Sequence, residues 1–135
     1  MKKSGSEPSS VFSEENVRER STLAAAFLDE RSRLNGIVTD ANNKLLNRIY
    51  NVDHNTYLEG ALPSRFKELM GLVASASLRC DDCITYHVIQ SFRLGCSRQE
   101  QEEALNVATV VGGTIVVPHL RRAYALLSEL YPVSL

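Results

Sequence analysis

Cys80 and Cys83 stand three residues apart, and His87 follows the second cysteine by four, so two thiols and a possible base are brought together within eight residues. A thiol reacts as its thiolate, and a neighbouring imidazole can take its proton. The pair therefore reads as a redox site. On a helix turning about 100° per residue, the three side chains fall within an arc of about 60°, with His87 about 6 Å along the axis from Cys83. Ile84, Val88 and Phe92 occupy the adjoining arc, so the cysteine face borders the packed side of its helix and is partly exposed. A helix N-terminus lowers a thiol pKa, which favours Cys80; the i, i+4 spacing to His87 favours Cys83. Geometry alone leaves the attacking sulfur open.

Two other readings compete. In one, the cysteines are small buried hydrophobes and His87 an ordinary polar residue. In the other, Cys80, Cys83 and His87 ligate zinc with Cys96 as a fourth ligand, although structural zinc ligands usually come from separate elements. Cys96 lies beyond a glycine stop and is expected to pack as a small apolar residue. His54 and His119 show no partner spacing and are expected at the surface or at helix ends. No metal and no cofactor are expected.

The helix that carries the pair is expected from about Cys80 to Leu94, with Asp81 and Asp82 in its first turn, where acidic side chains suit the helix dipole, and Gly95 as its stop. Before it, Pro63 opens a helix running through Phe66, Leu69, Leu72, Val73 and Ala76. No charged residue lies between Glu68 and Arg79, which marks this helix as central and buried on most sides. After it, Ser97 and Glu100 form a capping box for a helix carrying Ala104, Leu105, Ala108 and Val111 that ends at Gly112-Gly113. The last helix carries Ala123, Leu126, Leu127 and Leu130, with Thr114–Val117 as its extended lead or first turn and Pro118 tolerated only near its start. Toward the N-terminus, a helix is expected from about Glu15 to Leu34, ended by Asn35-Gly36, and another from Thr39 or Asp40 to Tyr50. His54 to Gly60 reads as a connection.

No strands alternate with these helices. The expectation is an all-α bundle of about six helices, with residues 1–14 a flexible tail and residues 15–135 a single domain; a thioredoxin-like frame, which needs its CxxC on a βαβ unit, is disfavoured. Hydrophobic residues at 44% and charged residues at 23% suit one ordinary globular domain among 135 residues. A net charge of −1 gives no field to draw nucleic acid. Met1 to Ser10 is polar and lacks an apolar signal core, and no membrane span is expected, so a cytoplasmic location is the expectation. Three cysteines, two of them three residues apart, argue against a framework of structural disulfides.

Glu68, eleven residues, Cys80-Asp81-Asp82-Cys83, then Thr85-Tyr86-His87, Leu94-Gly95, the capped helix from Ser97 and the Gly112-Gly113 break form a longer string. Over about residues 60–130 it resembles the carboxymuconolactone decarboxylase superfamily, specifically its AhpD-like alkylhydroperoxidase branch. The resemblance implies a helical protomer that assembles into a homo-trimer or homo-hexamer, for which the uncharged helix after Pro63 offers a face. It implies that Glu68 lies beside His87 and raises its basicity, that Cys83 attacks a hydroperoxide, and that Cys80 resolves the sulfenic acid to a disulfide. A dithiol or lipoyl-type reductant would then regenerate the pair. One departure stands out: Asp82 occupies the position of a second histidine in AhpD proper, and its charge raises a neighbouring thiol pKa. The decarboxylase branch acts on a lactone and lacks the CxxC pair. The alternatives to a peroxidase are a redox-sensing or disulfide-exchange protein without efficient turnover, or a decarboxylase-like enzyme.

Overall fold

The computed structural model describes residues 10–133, which fold into seven α-helices and one 3₁₀ turn, with no strand among the described residues. In chain order the helices are α1 (Glu14–Arg20), α2 (Thr22–Asp40), α3 (Lys44–Thr56), α4 (Ser64–Ser77), α5 (Asp81–Arg93), α6 (Arg98–Gly112) and α7 (Val117–Leu130). The all-α expectation holds. Helices α4, α5 and α6 pack as the central group, with α7 against α5 and α2. Leu72, Ala76, Ile84, Val88, Phe92, Leu105, Ala108 and Leu127 form the buried core between them.

The expected long first helix is two helices. Ser21 leaves helical geometry at φ −135°, ψ 114°, and its hydroxyl accepts the Ala24 N–H at 2.9 Å while donating to Glu129 at 2.9 Å. The serine thus caps α2 and ties it to α7. Gly36 does not stop α2: nothing packs within 4 Å of a Cβ at that position, and the helix runs on to Asp40. Asn42 then takes a left-handed φ of 51°, and Asn43 caps α3 by accepting the Leu45 and Leu46 N–H groups. Helix α3 therefore starts later than expected and extends to Thr56, so His54 sits in its last turn rather than in a connection. It buries none of its residues.

The later helices follow the sequence closely. Pro63 precedes α4, the Ser97–Glu100 capping box opens α6, and Pro118 lies in the first turn of α7 behind a 3₁₀ turn at Thr114–Val116. Helices α4 and α5 both end in the same motif, in which the third residue past the helix donates back into its last turn. After α5 the left-handed position is Gly95 (φ 85°), and the Cys96 N–H reaches the Ser91 carbonyl at 3.0 Å. After α4 that position is Arg79 (φ 62°), and the Cys80 N–H reaches the Ser75 carbonyl at 3.0 Å. Cys80 is thereby held to α4 at the same point where it caps α5.

Of the expected tail, residues 1–9 lie outside the described residues. The Val11 and Phe12 N–H groups donate to the Arg93 carbonyl, and the Phe12 ring stacks on Phe92 with centroids 4.5 Å apart.

Candidate redox site

Cys80 is the N-cap of α5, and its sulfur accepts the Cys83 N–H at 3.3 Å. Both cysteines are free thiols; Cys80 is half-buried and Cys83 exposed. Two turns into α5, the His87 Nδ1 lies 2.7 Å from Glu68 Oε2 of α4, and both residues are buried, with 8% and 6% of their surface exposed. Glu68 and His87 thus meet between α4 and α5, His87 shares a cavity with Cys83, and Cys83 is tied to Cys80 at the helix start. Since a carboxylate only accepts, Nδ1 carries the proton in this pair, leaving the Nε2 lone pair as the base. Among the described residues, no hydrogen bond joins the imidazole to either sulfur.

The Cys83 thiol is pushed up from an ordinary value of 9.0 to about 11, first by burial, then by the hydrogen bond and charge of Cys80, and then by Asp82 and Asp53. The departure at Asp82 thus acts in the direction its charge implies. Cys83 therefore rests as a thiol at neutral pH. Cys80 instead offers its sulfur to the Cys83 backbone N–H at the helix start.

Two cavities flank the dyad. One, of about 370 Å³, is lined by Cys83, His87, Tyr86 and Asp82 together with Phe27, Arg31 and Leu34 of α2. The other, of about 760 Å³, meets Glu68 and is lined mainly by α2 and α3, including Tyr50, Asp53 and Tyr57. Tyr86 and Arg31 border both, with the Arg31 guanidinium 4.4 Å above the Tyr86 ring. A cation over a ring face is attracted by its quadrupole, so this contact holds α2 against α5 beside the thiols. Tyr86 adjoins His87 in the sequence; nothing local in α2 or α3 marks Phe27, Arg31 or Tyr57 as neighbours of the cysteines.

His119, which had no partner by spacing, donates from Nδ1 to Asp81 Oδ1 at 2.8 Å, while Arg122 reaches the other oxygen of Asp81 at 3.0 Å. These contacts fix α7 to the first residue of α5. Cys96 is buried, with 2% of its surface exposed, and burial pushes its thiol up to about 11, as befits a packing residue. Among the described residues, no group of three or more His, Cys, Asp or Glu side chains is placed to hold a metal ion. Nor is any described helix long and apolar enough to cross a membrane.

Comparison with known proteins supplies the context of this geometry. The profile of the Carboxymuconolactone decarboxylase family matches residues 43–126. A crystal structure from Thermotoga maritima superposes with a TM-score of 0.76 at 48% identity, covering 78% of this chain and 92% of that one. A second Thermotoga maritima structure, of a carboxymuconolactone decarboxylase family protein for which involvement in the antioxidative response has been suggested, gives 0.74 at 48% identity over 78% and 89%. A family protein from Legionella pneumophila shares the fold, with a TM-score of 0.68 at 22% identity over 82% and 96%. Among curated sequences, an uncharacterised protein of Cupriavidus necator is 33% identical over 41% of this chain, and the match spans only 49% of that protein. An uncharacterised protein of the cox locus of Paracoccus denitrificans is 29% identical over 79% of this chain and 90% of its own length.

Proposed function

This chain belongs to the carboxymuconolactone decarboxylase family, and from that premise we propose that it is an AhpD-like, thiol-dependent peroxidase working through a Cys80/Cys83 disulfide cycle. The observation that carries the reading is the buried Glu68–His87 pair at 2.7 Å, set beside two free thiols at the start of α5. The suggested antioxidative role of the Thermotoga maritima relative supports it.

His87 Nε2 takes the proton of the Cys83 thiol as a hydroperoxide enters the smaller cavity. The Cys83 sulfur attacks the terminal peroxide oxygen, the O–O bond breaks, and the departing alkoxide collects the proton as an alcohol. The resulting Cys83 sulfenic acid is attacked by the Cys80 sulfur, which forms the disulfide and releases water. An external dithiol, of the lipoyl or a comparable type, returns two electrons by exchange and restores both thiols. The exposure of Cys83 and its place in the cavity lining, with Cys80 behind it at the helix start, fit this division of labour.

The high resting pKa of Cys83 favours one second reading, a disulfide-exchange or redox-sensing protein whose pair oxidises without rapid turnover. Titration of the reduced protein with hydroperoxide, followed by intact mass and rate, separates the two. Disulfide formation that outpaces a free thiol by orders of magnitude and cycles with added dithiol supports the peroxidase; disulfide formation at free-thiol rates supports the sensor. An unreactive pair would sink both.

Assembly into a homo-trimer or homo-hexamer belongs to the same reading. The expected interface helix, now α4, buries Leu72 and Ala76 in the protomer core and leaves Phe66 and Met70, one turn apart, 44% and 57% exposed. Leu45, Ile49 and Val52 of α3, spaced i, i+4, i+7, expose 53–66% of their surface, as Leu34 and Ile37 of α2 expose 45% and 59%. A second copy covering these residues would complete the burial that α3 lacks.

A further inference from the structure

Helix α4 presents Glu68 to the imidazole, and one turn later it presents Gly71, which has no side chain. A Cβ placed on Gly71 would lie 2.6 Å from Cε1, 2.8 Å from Nε2 and 2.9 Å from Nδ1 of His87. Near-equal distances to three contiguous ring atoms mean that the ring turns its face to the α4 backbone there. On its other sides the imidazole meets Tyr57, tilted by 35°, and Tyr86, edge-on at 73°, each with its centroid 5.5 Å away. The ring is enclosed, and the room for it comes from the missing side chain.

We propose that Gly71 is a positioning residue of this site: its bare backbone is the seat that lets His87 keep Nδ1 on Glu68 while Nε2 remains available to the Cys83 cavity. The proposal rests on the reading of His87 as the thiol base. A glycine inside a helix is disfavoured relative to alanine, and unlike Gly36, around which there is open space, Gly71 has a ring packed where its Cβ would be. Even the smallest side chain would drive the ring off its present position, since real Cβ contacts do not reach 2.6 Å. Glu68 could not follow the ring, being fixed to the same helix, and the 2.7 Å hydrogen bond would be lost with the displacement.

The test uses the full chain carrying Gly71→Ala, alone and with His87→Gln. Glutamine keeps an N–H donor for Glu68 but replaces the rigid ring with a flexible chain that can swing clear of the new Cβ. Two quantities are read: the pH profile of hydroperoxide-driven disulfide formation, and the melting temperature. Gly71→Ala is expected to slow disulfide formation by about 10- to 100-fold, the scale of a misplacement near 1 Å, and to reduce its pH dependence to that of His87→Gln. Its melting temperature should fall in the wild-type background and rise by a few degrees beside His87→Gln, where alanine is simply the better helix former. A wild-type rate and pH profile in Gly71→Ala, or an equal thermal cost in both backgrounds, overturns the proposal. Should the single variant fail to fold, the double variant must still fold, and its failure would also overturn the seat. If wild type and His87→Gln react alike at every pH, the base reading fails and the positioning role with it; the thermal cycle then reports separately whether the ring rests on Gly71.

Discussion

Replacing Glu68 by glutamine is the most direct probe of the buried pair, because the side chains have nearly the same shape and only the charge is removed. In the native site the carboxylate receives the His87 Nδ1–H at 2.7 Å, with both groups nearly out of solvent. Hydrogen bonds to charged partners contribute about 1.5–3 kcal/mol net, against about 0.5–1.5 kcal/mol for neutral ones. In the proposed reaction the imidazole takes the Cys83 proton and becomes a cation, which a carboxylate stabilises more than it does the neutral ring. A glutamine oxygen still accepts the Nδ1–H, so what is lost is the difference between a charged and a neutral partner, about 1–1.5 kcal/mol, which slows the thiol reaction by about 5- to 12-fold at about 1.4 kcal/mol per decade. Folding should survive, since a neutral amide facing a neutral imidazole leaves no uncompensated buried charge, whereas truncating His87 would strand the carboxylate at a cost of about 3–5 kcal/mol. The assay is stopped-flow consumption of an organic hydroperoxide with excess dithiol between pH 6 and 8, paired with thermal unfolding of the same samples. A Glu68→Gln protein that folds as the wild type and reacts at the wild-type rate throughout that range would refute the role given to the pair.

Other consequences follow from single features of the structure. Burial holds the Cys83 thiol at about 11 against an ordinary value of 9.0, so the folded state favours the protonated form; this stabilisation is complete below about pH 9 and lost as pH rises toward 11. Urea midpoints should fall across that window, and Cys80→Ser, which removes the next largest causes, should narrow the fall; alkylation of Cys83 at free-thiol rates at pH 8 would contradict the assignment. Arg79 holds a left-handed φ of 62° where Gly95 does the same work after α5, so Arg79→Gly should raise stability by about 0.5–1 kcal/mol in urea titrations. On the proposed assembly, Ile49→Asp in the exposed apolar stripe of α3 should sediment as a monomer, with the helical signal intact, where the unsubstituted chain sediments as a trimer or hexamer.

Recognition of the helices varied with where their ends are encoded. The Ser97–Glu100 box, Gly95 and Pro118 satisfy or remove backbone groups at a helix end, so these boundaries are written into a few adjacent residues. The break at Ser21 carries no such mark: a serine inside an otherwise helical run becomes a cap because Glu129, more than a hundred residues away, accepts its hydroxyl proton. Asn35-Gly36 looked like a stop, yet helical geometry continues because a glycine in a solvated helix costs only about 1 kcal/mol relative to alanine.

The sequence by itself determined the all-α character and the alignment of Cys80, Cys83 and His87, because helical pitch converts spacing directly into direction. It also placed the acidic residue between the cysteines that helps keep Cys83 protonated. Glu68 could be connected to His87 from the sequence only through resemblance, since no local rule relates side chains nineteen residues apart on different helices. The tertiary structure decided what encloses the thiols: Phe27 and Arg31 from α2, Tyr57 beside the imidazole, His119 and Arg122 on Asp81, and the bare backbone of Gly71 beneath the ring. Those neighbours are set by how whole helices bury their apolar faces against one another, a property of the packed chain that no short stretch of it contains.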